Sequence, residues 1–193
     1  HLFAIYIHGS EAAYFKDRFF GKRHQLRDIF SWFRKDLYHM PRIIKFLSGS
    51  STGVIITPSV WMKKEINYTF NNDNIYVVPN GIDVDLFQFK SIGSGKNLIT
   101  VRPLGDKVYD IESTIEVLSL LPEKYTLDIY GKGRFKNHYN NLIIAKGLSN
   151  RVNIIDEFIE RNNMPNLFYN YNCFLSTTKL DTQGVTMLEA MSS

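Results

Sequence analysis

The feature that most constrains this chain is a steady alternation of short β-rich runs with stretches of helical periodicity, kept up over most of its 193 residues. The β-rich runs lie near residues 2–7, 53–57, 75–78, 97–101, 125–130, 152–155 and 173–176. Between them, helical spacing is read over 59–68, 110–121, 135–146 and 164–171, and onward from Val185. Strands that alternate with helices pair in parallel, because a parallel connection must return the chain across the sheet and a crossover helix does so compactly. The expected fold class is therefore α/β, with doubly wound parallel sheets. The rhythm breaks at 88–96, where Ser91-Ile-Gly-Ser-Gly-Lys96 follows Pro79-Asn-Gly-Ile-Asp83. That seam divides the chain into domains of residues 1–88 and 89–193. The first shows three strands and the second runs out inside a helix, so both are expected to be incomplete pieces of something longer.

Composition narrows the function classes. With 44% apolar residues, 14 Phe, 11 Tyr and 2 Trp, the chain has more to bury than a solvated tail carries. Its longest apolar runs, such as Gly53-Val-Ile-Ile56 and Leu142-Ile-Ile-Ala145, fall far short of the roughly 20 residues a membrane span needs. The opening His1-Leu-Phe-Ala-Ile-Tyr-Ile7 has neither a basic leader nor a small-residue cleavage site and reads as a strand. The one cysteine, Cys173, sits in the apolar stretch Tyr171-Asn-Cys-Phe-Leu175 and is expected to be a buried, inert thiol of a reducing, cytoplasmic protein. Five scattered His and one Cys show no ligand spacing, so no metal site is expected.

Charge is unevenly spread. Residues 11–47 carry nine Lys or Arg against four acids, a local excess of +5 where the whole chain carries +4. Nine aromatics are interleaved with those cations, among them Phe15, Phe19, Phe30, Trp32 and Phe33. This segment reads either as a core-facing stripe with a solvated basic face or as a surface for the anionic inner face of a membrane or a lipid-linked acceptor. No nucleic-acid motif accompanies the charge, and no nucleic-acid partner is expected.

Ligands of doubly wound sheets bind beyond the carboxyl ends of the strands, so the chemistry is sought in the strand-to-helix loops. Asn97-Leu-Ile-Thr-Val101 is followed by Arg102-Pro-Leu-Gly-Asp-Lys107. Two cations at a strand end, ahead of a helix start, suit a dianion such as a diphosphate, although such cations are commonly just solvated. Tyr130-Gly-Lys-Gly133 sits at another strand end, either as a ligand loop or as a plain tight turn. It lacks the third glycine and the following acid of a dinucleotide fingerprint, which argues against a nicotinamide enzyme. In Asp181-Thr-Gln-Gly-Val-Thr-Met-Leu-Glu189, Gly184 permits close approach and the amides of Val185 and Thr186 open a helix. Glu189 then lies about one turn in, and a carboxylate there suits a vicinal diol such as ribose. A helix-surface Glu and a loop Asp is the alternative.

Taken together, these segments resemble the retaining GT-B glycosyltransferases of family four. Asp181 to Glu189 with Ala190-Met191 resembles the family's paired-acid signature, usually written Glu-Gly-Phe-Gly followed by Leu-Glu-Ala-Met. Val77-Val-Pro-Asn-Gly-Ile-Asp83 with Phe87 resembles its interdomain segment, and Tyr6-Ile-His8-Gly9-Ser-Glu11 its acceptor-side His-Gly segment. Asp181 stands where the usual residue is Glu, and Thr182-Gln183 replace Gly-Phe, a pattern similar to a surface-polysaccharide branch. The resemblance implies two Rossmann-like domains, with the acceptor side in 1–88 and the donor side in 89–193. It implies transfer of a sugar from a nucleotide diphosphate donor to a glycan or lipid-linked acceptor, with retention of configuration and no separate cofactor. Arg102 and Lys107 would neutralise the departing diphosphate, Asp181 would hold a sugar hydroxyl, and His8 would stand near the anomeric carbon. Gly131, Gly133, Gly184, Val185 and Thr186 would line the nucleotide sugar, and Glu189 would hold the ribose. Two other readings use the same residues: a metal-dependent transferase with Asp83 and Asp85 as cation ligands, and a sugar-nucleotide epimerase or silent binding module.

Overall fold

The computed structural model describes residues 3–7 and 53–193, which fall into two compact units, His1–Asn80 with Asp181–Gln183 and Gly81–Leu180 with Gly184–Ser193. In the first, β1 (Phe3–Tyr6), β2 (Gly53–Thr57) and β3 (Ile75–Val77) form a sheet in the order β1-β2-β3, parallel throughout. The β-branched run Gly-Val-Ile-Ile-Thr makes β2 extended, and Ile55 is buried at its centre with partly buried residues on either side. Helix α1 (Val60–Phe70) connects β2 to β3. It starts at Ser59, whose Oγ accepts from Met62 N at 3.2 Å, and stops at Asn71, whose left-handed backbone (φ 48°) turns the chain out. Met62 and Ile66, one turn apart, face Ile55 and Ile75 to make the local core.

The second unit contains β4 (Asn97–Val101), α2 (Ile111–Leu120), β5 (Thr126–Tyr130), α3 (Lys136–Ala145), β6 (Val152–Ile155), α4 (Met164–Phe168), β7 (Cys173–Phe174) and α5 (Val185–Ser192). Its sheet runs β6-β5-β4-β7, again parallel at every pairing. Alternate residues of the strands feed opposite layers. Leu98, Leu127 and Ile129 join Ile111, Ile115 and Leu118 of α2 and Tyr139 and Ile143 of α3 in one core. On the other layer Val101 and Phe174 pack with Phe87, Met164, Phe168 and Ala190. Covering both faces is what a parallel sheet needs.

The strand order decides where a site can lie. The chain builds outward from β4 to β5 and β6, then returns to set β7 on the other side of β4. Crossovers therefore leave in opposite directions on the two sides of β4, which opens a crevice beyond the carboxyl ends of β4 and β7.

Each of the seven expected runs coincides with a strand, and the expected helices appear at 60–70, 111–120, 136–145, 164–168 and 185–192. Several elements end a residue or two inside their sequence pattern, and two of them, β7 and α4, have a visible cause at their carboxyl ends. β7 pairs with β4 only at Cys173 and Phe174, because the chain leaves the ladder once Leu175 N has donated to Ile99 O (2.8 Å). α4 closes at Phe168, after which Asn170 N and Tyr171 N make the tighter three-residue bonds to Leu167 O and Phe168 O. Cys173 is exposed, correcting the expectation of a buried thiol. Alternation along β7 sends its neighbour Phe174 into the core, 6.0 Å from the Phe168 ring, and Cys173 to the opposite side of the end strand of this sheet.

The seam at residue 88 lies beyond the division after Asn80. Phe87 is fully buried with α4 residues, Tyr169 Oη donates to Gln88 O (2.8 Å), and Ser192 Oγ donates to Phe87 O (2.7 Å), so residues 81–88 pack with the second unit. His8 and the basic aromatic segment 11–47 lie outside the described residues.

Candidate functional site

The candidate site is built on the carboxyl edge of the second sheet. Arg102 directly follows β4, and its amide continues the ladder by donating to Tyr130 O (3.0 Å). Only 7% of the residue is accessible. The guanidinium lies 5.9 Å from the Tyr109 ring and 5.8 Å from the Phe174 ring, and Nη2 donates to Ser176 Oγ at 3.3 Å. Ser176 follows β7. The pair therefore bridges β4 and β7 across the crevice, with a permanently charged group held between aromatic faces. A cation so held is positioned before any ligand arrives, which is what electrostatic stabilisation of an anion requires.

The loop after β7 is fastened to the start of α2. Thr177 Oγ1 bonds Thr114 Oγ1 (2.7 Å) and donates to Asp110 O (2.9 Å), while Lys179 N donates to Val108 O (2.8 Å). Lys179 Nζ also pairs with Asp110 Oδ2 at 3.2 Å. Ahead of α2, the short 3-10 turn Lys107–Tyr109 is capped by Asp106, whose Oδ1 accepts from Val108 N (3.0 Å).

Lys107 is held on this turn by a different set of neighbours from Arg102. Its Nζ donates to Glu112 Oε1 at 3.0 Å and stands 5.6 Å from the Phe135 ring. The bond from Lys107, and then one from His138, hold the Glu112 carboxyl below the usual carboxylate range.

Gly131 and Gly133 have a structural reason of their own. A Cβ on Gly131 would stand 2.0 Å from Arg102 O, and one on Gly133 would stand 2.1 Å from the carbonyl carbon of Leu104. The loop after β5 therefore packs backbone against backbone on the loop after β4, tied by Leu104 N to Lys132 O (2.8 Å) and Phe135 N to Leu104 O (3.0 Å). These glycines set the path of the Arg102 loop, a role the ligand-loop reading had not assigned them.

Helix α5 begins at Gly184, followed by Val185 and Thr186, with no acid in its first turn. Glu189 is 5% accessible, and its Oε1 accepts from Arg161 Nε at 3.2 Å. Arg161 sits on the 3-10 turn Arg161–Asn163 after β6, 5.8 Å from the Phe87 ring. The guanidinium offsets the cost of burying the carboxylate. Asp181 is exposed and groups with the first unit, where Gln183 Oε1 accepts from Asn80 N (2.6 Å) and Asn80 Oδ1 accepts from Tyr6 Oη (2.7 Å). Asp83 is engaged in a turn: its Oδ1 accepts from Leu86 N (3.0 Å) and its carbonyl from Phe87 N (2.9 Å).

The structure thus brings Arg102, Gly131 and Gly133 onto one pair of touching loops, and gives Lys107 and Glu189 partners that sequence reasoning missed. Ser176 was recoverable, since the strand-end rule that selected Arg102 also selects it. Arg161, Glu112 and His138 carry no motif, and only the folded chain identifies them.

No protein-family model matches the sequence, and no curated protein matches it. Solved structures do. A crystal structure of TarM is 19% identical with a TM-score of 0.73, over 98% of this chain and 34% of that one. HepE of Anabaena in complex with UDP and glucose is 14% identical with a TM-score of 0.73, over 100% of this chain and 50% of that one. The lipopolysaccharide outer core galactosyltransferase WaaB, in its apo form, is 18% identical with a TM-score of 0.60, over 72% of this chain and 40% of that one. At such identities the likeness is one of fold, the Rossmann-like GT-B fold. The chain spans a third to a half of the length of these proteins.

Proposed function

We propose that this chain is part of a glycosyltransferase that moves a sugar from a nucleotide diphosphate donor to a glycan or lipid-linked acceptor. The observation that carries this reading is the Arg102–Ser176 bond across the β4/β7 crevice, which holds a buried guanidinium where doubly wound sheets bind phosphorylated ligands. HepE, whose fold this chain shares, was crystallised with UDP and glucose, and that supports the same ligand class here.

The chemistry follows from charge. Breaking the bond between sugar and phosphate builds positive charge on the anomeric carbon and negative charge on the departing diphosphate. Fixed cations and amides stabilise the leaving group by about 3 kcal/mol for each well-aimed donor. In this reading Arg102 and Lys107 supply the cations, and the first amides of α5, at Gly184, Val185 and Thr186, add the positive end of a helix dipole. Glu189, held by Arg161, accepts from the ribose hydroxyls. Asp181 and His8 serve the sugar, and the reaction needs no separate cofactor. The unit built on β1 to β3 forms the acceptor side and the unit built on β4 to β7 the donor side.

Retention of configuration and a role in surface-polysaccharide synthesis belong to the same reading and are supported by the Asp181–Glu189 motif. The cation-rich, aromatic segment 11–47 supports work on the cytoplasmic face of an anionic membrane. Incubating the intact protein with a panel of nucleotide diphosphate sugars and acceptor glycans, followed by product analysis, tests the proposal. A new glycosidic bond with release of nucleoside diphosphate is expected. Sugar epimerised without bond formation, or no turnover of any bound donor, would replace it with the epimerase or the silent-module reading.

A further inference from the structure

Lys107 does not stand alone as a cation. The Glu112 oxygen that accepts its hydrogen bond also lies 2.9 Å from His138 Nε2. The three groups come from three elements, the turn before α2, the first turn of α2 and the first turn of α3. All are partly open to solvent, with side chains 37%, 44% and 49% accessible. An ion pair this exposed is weak, so a dianion competes for the ammonium. The charged groups on the elements around the cluster are Asp106 and Asp110 on the turn, Glu116 further along α2, Lys132 and Arg134 on the loop before α3, and Lys136 on α3, beside the neutral Tyr139 phenol, which burial pushes up to about 12. Glu116 is held by Lys146 and Lys136 by Asp156, which leaves Glu112 as the carboxylate bonded to both Lys107 and His138.

Resting on the donor reading above, we propose that Glu112 and His138 are positioning residues for Lys107: Glu112 holds the ammonium in the empty site, and protonated His138 takes over the carboxylate when Lys107 turns to the diphosphate. Without that handover a bare carboxylate would be left beside an incoming anion, and like charge would oppose binding. An imidazole that no longer shares its carboxylate with an ammonium holds its proton more tightly, and imidazole is the side chain that titrates near neutrality. Binding of a nucleoside diphosphate is then linked to uptake of a proton from solvent, with no covalent change.

UDP is the probe. Calorimetry of UDP binding to the intact protein, in two buffers of different ionisation heat, counts the protons exchanged. The parent takes up more proton than either His138→Gln or Glu112→Gln. Its affinity falls more steeply than theirs between about pH 6 and about pH 8, the direction that proton uptake on binding requires. Titration of UDP itself is common to all three proteins and cancels. Uptake by His138→Gln equal to the parent's overturns the proposal, and full uptake retained by Glu112→Gln overturns the handover through the carboxylate. A parent that binds no UDP removes the donor reading and this proposal together, whereas the first two outcomes arise only when UDP binds.

Discussion

Helices α2 and α5 each follow a strand of the β4/β7 crevice, and their first turns differ in charge. α2 begins among its own acids: Asp106 caps the preceding turn, Asp110 receives Ser113 Oγ (2.8 Å) and Lys179, and Glu112 lies in its first turn. α5 begins at Gly184 with Val185 and Thr186 and has no acid in its first turn. The first amides of any helix lack partners within it and carry the positive end of its dipole. At α2 the chain answers that field with its own carboxylates, and these are matched in turn by Lys107 and Lys179. The first turn of α5 supplies no such answer. The contrast teaches that equivalent positions on one sheet edge serve different ends: α2 is finished internally as a holder of cations, while α5 is suited to an anion from outside.

Three substitutions break or sharpen this comparison. The largest effect is expected at Arg102, the cation held across the crevice. Arg102→Ala should lower turnover of the donor sugar about a hundredfold or more, the scale for losing one preorganised donor, an effect larger than its effect on thermal unfolding. Equal turnover in variant and parent would end its assignment to the leaving group. Next is Glu189, on the α5 side. Glu189→Ala should weaken UDP binding about tenfold or more by calorimetry, because the ribose loses a charged acceptor and Arg161 loses its partner. Unchanged affinity would refute the ribose role. The smallest is a direct exchange of character between the helices: Val185→Asp gives α5 the first-turn acid that α2 already has. The helix itself should be no less stable, since the carboxylate suits its dipole, while UDP affinity should drop about fivefold, with the loss shrinking as salt is raised. Affinity that stays level would show that the α5 start does not meet the phosphates.

Strand and helix positions were legible because each rests on local pattern. Gly53-Val-Ile-Ile-Thr57 and Asn97-Leu-Ile-Thr-Val101 are short β-branched runs bounded by turn residues, and both are strands. Arg102 was legible for a related reason, since a cation immediately after a strand is placed at the sheet edge by chain geometry alone. Ser176 was legible as another strand-end residue, but its pairing with Arg102 was not, because the two lie 74 residues apart and meet only once β7 returns to the far side of β4. Glu189 was legible as a residue one turn into a helix, but Arg161, 28 residues earlier on a short turn, was not. Gly131 and Gly133 were legible as a turn. That they are needed for backbone contact with Arg102 and Leu104 follows from two loops touching, which no single stretch of sequence records. Cys173 misled because an apolar neighbourhood in sequence is divided by strand alternation into two opposite faces.

By itself the sequence determined the periodicity, hence the α/β class, the parallel pairing and the candidate residues at strand ends, since hydrophobic spacing and side-chain type are properties of contiguous residues. Only the tertiary structure decided which of those residues acquire partners: Arg102 with Ser176, Lys107 with Glu112 and His138, Glu189 with Arg161. The physical reason is that partnership depends on the order of strands in the sheet, and that order is set by how the crossovers pack over its two faces.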